Sequence, residues 1–225
     1  MPIQDPFAER RLYLPFIGLL FISMEFLRRW RIGKNALVTV LALVLLAEAA
    51  TTYQRNQLWA SPIDIWSDTV AKSPNKLRPR FQLAKAYFDT GHYPEAIEHF
   101  QKAALLAPPN FDLLLDWALA YDGVGKPSEA IAKLREAAAL EKSAHVYSQI
   151  GMEYGKMGQF PQALDALATS IQLDPTFFGG MAYIYRGDVF ATQGNKLQAA
   201  EEYRHALSID PNNSVAREKL ARLGQ

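Results

Sequence analysis

Gly151, Gly155 and Lys156 fall in one stretch, "GMEYGKMG", and glycines ahead of a lysine are what a phosphate-cradling loop uses. Such a loop needs four residues between its glycines and a Ser or Thr after the lysine, so that backbone N–H groups and a hydroxyl reach phosphate and magnesium. Here three residues separate the glycines and Met157 follows, so no phosphate site is expected. The histidines His92, His99, His145 and His205 show no i, i+4 pairing, and the chain has no cysteine. That spacing predicts no zinc site, no disulfide and no thiol nucleophile. A G-x-S-x-G elbow is absent. Asn212-Asn213-Ser214 fits a glycosylation acceptor, but it directly follows Pro211 and reads as a turn. No catalytic residue, metal or cofactor is expected, and the chain is expected not to be an enzyme on its own residues.

The formal net charge of +1 over 225 residues argues against a nucleic-acid partner driven by bulk charge. The average hides two unlike parts. Residues 12–53 are apolar with few charges, whereas residues 75–225 have the balance of a soluble helical protein.

In the first part, an apolar run from Leu12 to Leu27 is broken by Pro15, Gly18, Ser23 and Glu25. "RRWRIGK" follows, with Arg28, Arg29, Arg31 and Lys34, and then a second apolar run from Ala36 to Tyr53. A spanning helix needs roughly 20 apolar residues, and flanking residues extend each run toward that length. Tyr13, Trp30 and Tyr53 stand where aromatic side chains mark the interface, and the basic loop belongs in the cytoplasm. A membrane hairpin with helices at about 12–29 and 35–55 is expected, with everything after Tyr53 on the far side. That side is the periplasm for a bacterial inner membrane, or the lumen for the endoplasmic reticulum. Two competing readings are a buried helical hairpin and a secretory signal ending at Ala47-Glu48-Ala49. Glu25 and Glu48 are candidate intramembrane acids, or residues at helix ends.

The second part is governed by a period. Small, aromatic, Gly, Ala, bulky, small and Pro recur as Ala84, Tyr87, Gly91, Ala96, Phe100, Ala103 and Pro108. The next copy has Ala118, Tyr121, Gly125, Ala130, Leu134 and Ala137, with Lys142 in place of the proline. Gly151, Tyr154, Gly158, Ala163, Leu167, Ser170 and Pro175 make the third copy. Gly187, Phe190, Gly194, Ala199, Tyr203, Ala206 and Pro211 make the fourth. Small residues let two helices approach, the glycine ends the first of them, and the proline cannot continue the second. The pattern resembles the tetratricopeptide repeat, a helix–turn–helix unit of about 34 residues. It implies an all-α chain: a transmembrane helical hairpin (1–56), a linker and half-repeat (57–76), then a right-handed α-solenoid. The solenoid has units at 77–110, 111–143, 144–177 and 180–213 and a capping helix at 214–225. The aromatic spacing shortens to 33 at the missing proline and lengthens to 36 at Gly179-Gly180, so irregular junctions are expected there.

By that resemblance, the second, fifth, ninth, twelfth and thirteenth positions of each unit line a concave groove. They include Arg78, Phe81, Lys85, Phe88 and Asp89, then Leu115, Leu119 and Asp122, then His145, Met152 and Lys156, and finally Ile184 and Asp188. The mixture is apolar with charges of both signs, which suits a polypeptide rather than a polyanion. The partners expected are therefore a protein or peptide and the membrane, with no nucleic acid and no small-molecule substrate.

A second resemblance rests on other residues. Glu9-Arg10-Arg11-Leu12-Tyr13-Leu14-Pro15 precedes the first apolar run. Arg55, Asn56 and Trp59, then Trp66, Asp68 and Pro74, join the second run to the repeats. This order is similar to the C-terminal part of polytopic O-mannosyltransferases that carry tetratricopeptide repeats, and of their bacterial relatives. It implies a non-catalytic tail that positions acceptor protein, because those enzymes hold their acidic catalytic residues in an early loop with no counterpart here. Arg10 and Arg11 would then lie at the lipid interface.

Overall fold

The computed structural model describes residues 17–19, 21–23, 25, 33–59 and 61–224. The chain divides into two units, Met1–Trp59 and Ala60–Gln225.

In the first unit, α1 (Lys34–Leu58) runs for 25 residues. Within it, Asn35–Tyr53 is long and apolar enough to cross a membrane, and none of that stretch is buried. Nineteen residues span about 28 Å at 1.5 Å per residue. Two of its hydroxyls are folded back onto the helix: Thr39 donates to the Asn35 carbonyl at 2.9 Å and Thr51 to that of Glu48 at 3.0 Å. Such bonds hide polar groups that hydrocarbon would not solvate. Residues 17–19, 21–23 and 25 are also helical, but most of the expected first membrane helix lies outside the described residues. So do Glu9 to Pro15, the arginines of the basic loop, Trp30 and the Arg55 side chain. Among the described residues there is one candidate span, and the hairpin is not established.

The second unit is a stack of helix pairs. The half-repeat α2 (Pro62–Lys72) starts with Ser61 accepting from the Asp64 N–H and a proline in its first turn. Four pairs follow: α3 (Leu77–Asp89) with α4 (Tyr93–Ala104), and α5 (Phe111–Gly123) with α6 (Pro127–Leu140). Then come α7 (Ala144–Lys156) with α8 (Phe160–Leu173), and α9 (Phe177–Thr192) with α10 (Lys196–Ile209). The cap α11 (Ser214–Arg222) closes the stack, started by the Asn213 side chain.

The repeating residue types are explained by what they touch. Ala84, Ala96 and Ala103 are wholly buried and let α3 and α4 close around Phe100, which is itself 0% exposed. Leu134, Leu167 and Tyr203 fill the same place in the later pairs. The turn glycine Gly91 has φ +78°, and the N–H of His92 reaches back to the Tyr87 carbonyl at 2.9 Å. Any side chain is strained in that left-handed conformation.

The long junction carries the main backbone irregularity. Phe178, Gly179 and Gly180 all have positive φ (45°, 64° and 79°), so regular helix in α9 begins only after them. Phe178 is held left-handed with its ring 71% exposed, packed edge-on to Phe177 at 4.8 Å.

Candidate functional site

The expected groove residues come from the first helix of each pair, α3, α5, α7 and α9. Several do not display themselves to a ligand. Leu115 is 9% and Ile184 1% exposed; both lie in core clusters. Ser148, at the same fifth position of the third unit, is also buried, and Phe81 is half-buried with its ring 6.1 Å from that of Phe100. The fifth position is thus the most buried of the expected groove positions. Phe88 is half-buried, 5.7 Å from the Tyr93 ring, and Leu119 is half-buried against the second core cluster. Arg78 and Asp89 are exposed. His145 stacks on Phe177 at 5.3 Å, and burial holds its pKa below the usual histidine value.

The charged candidates are engaged with one another across adjacent units. Lys85 Nζ lies 3.4 Å from Asp116 Oδ2. Asp122 accepts from Lys156, which also donates to Glu153 Oε1 at 2.9 Å. Asp188 Oδ1 accepts from Lys219 at 2.7 Å and from the Tyr203 hydroxyl at 2.8 Å. Asp116, Glu153 and Lys219 escape a reading by single-repeat positions. The signal for Asp116 and Lys219 is an offset of 31 residues between opposite charges, as in Lys85–Asp116 and Asp188–Lys219, whereas Glu153 pairs within its own helix, three residues from Lys156.

Glu153 is the unusual member. It is 1% exposed, and its second oxygen has no hydrogen-bond partner. Burial pushes its pKa up, Asp122 adds to the rise, and Lys156 opposes it. A carboxyl with a raised native pKa contributes stability that is full below its ordinary value near 4.5 and lost as pH rises through the native value. Loss of that proton therefore costs stability. Glu153→Gln is expected to gain stability relative to the parent as pH rises above 4.5, a gain that closes toward pH 4. Urea melts of the parent and variant across that range measure it.

Between α7 and α9 a cavity of about 340 Å³ opens, lined by Met152, Gly155 and Lys156 on one side and Tyr185, Asp188 and Val189 on the other. Met152, Lys156 and Asp188 of the expected groove set are thus brought together in one place. Neither Tyr185 nor Val189 was foreseen, because each acts by filling a position relative to the preceding unit.

A stacked array of such helix pairs is a tetratricopeptide-repeat solenoid. The comparisons agree: the chain carries tetratricopeptide repeats, matched as such at residues 79–110 and 148–214. It is similar to protein O-mannosyl-transferase TMTC1 of Homo sapiens, 27% identical over 159 residues that make up 67% of this chain and 18% of that protein. Protein O-mannosyl-transferase TMTC3 of Mus musculus is 22% identical over 95% of this chain, a match that extends beyond the repeats, and 25% of its own length. BBSome complex member BBS4 of Mus musculus is 32% identical over 60% of this chain and 25% of its own. The chain thus spans a quarter or less of the length of these relatives. Among solved structures, MamA matches with 25% identity and a TM-score of 0.60, over 71% of this chain and 89% of that one.

Proposed function

We propose that this chain is a membrane-anchored scaffold that binds polypeptide in the concave groove of its repeats. The observation that carries the reading is the cavity between α7 and α9, which brings Met152, Lys156 and Asp188 of the expected groove together. Tetratricopeptide arrays bury their core between neighbours and leave the groove to a partner. The anchor is a hairpin of residues 12–29 and 35–55, with the basic loop between them in the cytoplasm and the repeats across the membrane. Support for it comes from the length and exposure of Asn35–Tyr53.

Affinity capture with the full chain in lipid nanodiscs tests the groove. Phe88→Ala combined with Leu119→Ala is expected to lose the captured polypeptide while the helix content stays constant. Capture unchanged in that variant would move the contact to another face. A reporter fused after Gln225 tests the topology, and activity of a cytoplasm-only reporter there would reverse the orientation.

A second reading has its own observation. The similarity to protein O-mannosyl-transferase TMTC3 covers 95% of this chain and so includes much of the segment ahead of the repeats. On that reading the chain is the non-catalytic C-terminal portion of an O-mannosyltransferase-like membrane protein, and its groove positions acceptor protein. Co-purification with a membrane transferase would favour it.

A further inference from the structure

We infer that the cavity beside Gly155 is a pocket for one uncharged, apolar side chain of the polypeptide in the groove. The inference rests on the groove reading above and adds what the groove selects.

The pocket exists because a side chain is missing. Gly155 holds the twelfth position of its unit, where the first unit has Phe88, the second Asp122 and the fourth Ala191. Its backbone is ordinary helix, so no turn requires the glycine. A Cβ built there would meet only Val189 Cγ2, at 3.4 Å, which is normal contact. The volume in front of it is therefore open space of about 340 Å³, large enough for an aliphatic or aromatic side chain.

The lining decides which side chain. Both charges at the pocket are already matched within the protein: Lys156 by Asp122 and Glu153, and Asp188 by Lys219 and Tyr203. The Thr192 hydroxyl donates to the Asp188 carbonyl at 2.8 Å. A charged guest would find no free opposite charge in the lining and would have to break one of these pairs. An apolar guest meets Met152, Val189 and the Tyr185 ring and disturbs nothing. The Tyr185 hydroxyl makes no hydrogen bond among the described residues, and burial raises its pKa, so it stays a neutral donor for a peptide carbonyl.

The test uses the full chain in nanodiscs, labelled with ¹³C in its methionine methyls, and blocked Gly/Ser peptides carrying one central Phe, Glu or Lys. The Phe peptide is expected to move the Met152 methyl resonance saturably, with the same affinity at low and high salt. Gly155→Leu fills the pocket and is expected to weaken that peptide about tenfold. Gly155→Ala, which adds one methyl in free space, weakens it less and guards against a folding defect. Equal or tighter binding of the Glu or Lys peptide would falsify the pocket, as would undiminished binding to Gly155→Leu or silence of Met152 with every peptide. If the captured polypeptide survives Gly155→Leu but is lost with Phe88→Ala and Leu119→Ala, the pocket fails and the groove stands. If it survives both, the groove reading fails as well.

Discussion

Phe100→Ala is expected to cost about 3–5 kcal/mol, the range for removing a large aromatic from a closed core. Phe100 is 0% exposed and is enclosed by Ala84, Ala96, Ala103, Leu113, Trp117 and Ala120. The wholly buried Ala84, Ala96, Ala103 and Ala120 are too short to fill the void. In a stacked array each unit is stabilised mainly by its neighbours, so the loss should not spread evenly. The first helix pair and its contact with α5 should loosen first, while the third and fourth units keep their own clusters around Leu167 and Tyr203. Trp117 lies in the damaged cluster. Its fluorescence should therefore change at lower urea than the far-ultraviolet circular dichroism does. A single coincident transition with an unchanged midpoint would show that Phe100 does not hold the array together.

The repeat was legible in the sequence because its residue types answer local demands. Two helices in one unit can approach only through Ala84 and Ala96 or their equivalents, and the turn after α3 needs a residue that accepts φ near +78°, which is Gly91. Those requirements recur every unit and leave a period. The groove was legible only in part, because its state is set between units. Nothing within the second unit says that Asp122 will be taken by Lys156 of the third, or within the first that Lys85 will meet Asp116. Leu115 and Ile184 stand at expected groove positions, and their burial in core clusters is not visible in the residue type. Phe178 shows a different limit. The extra length at this junction is visible in the spacing, but a left-handed phenylalanine is not something its residue type suggests. The first membrane helix rests on composition alone, since most of it lies outside the described residues.

Gly151→Val is expected to destabilise the fold by about 2–3 kcal/mol, and the contrast with Gly155 one turn later makes the result diagnostic. A Cβ on Gly151 would lie 2.4 Å from Leu167 Cγ, 2.8 Å from its Cδ2 and 3.1 Å from the Ala163 carbonyl. Leu167 is fully buried and cannot swing away, and the carbonyl belongs to the backbone of α8. To admit a branched side chain, α7 and α8 would have to separate, opening the cluster they share. Gly155 lies on the same helix with only Val189 in reach, at 3.4 Å, so alanine there should gain about 0.5 kcal/mol from helix propensity. Thermal melts of Gly151→Val and Gly155→Ala should therefore shift in opposite directions from the parent. If the two glycines answered alike, their shared role would be backbone flexibility in α7. Opposite shifts would identify Gly151 as the contact that lets two helices close, and Gly155 as a position with room for a side chain.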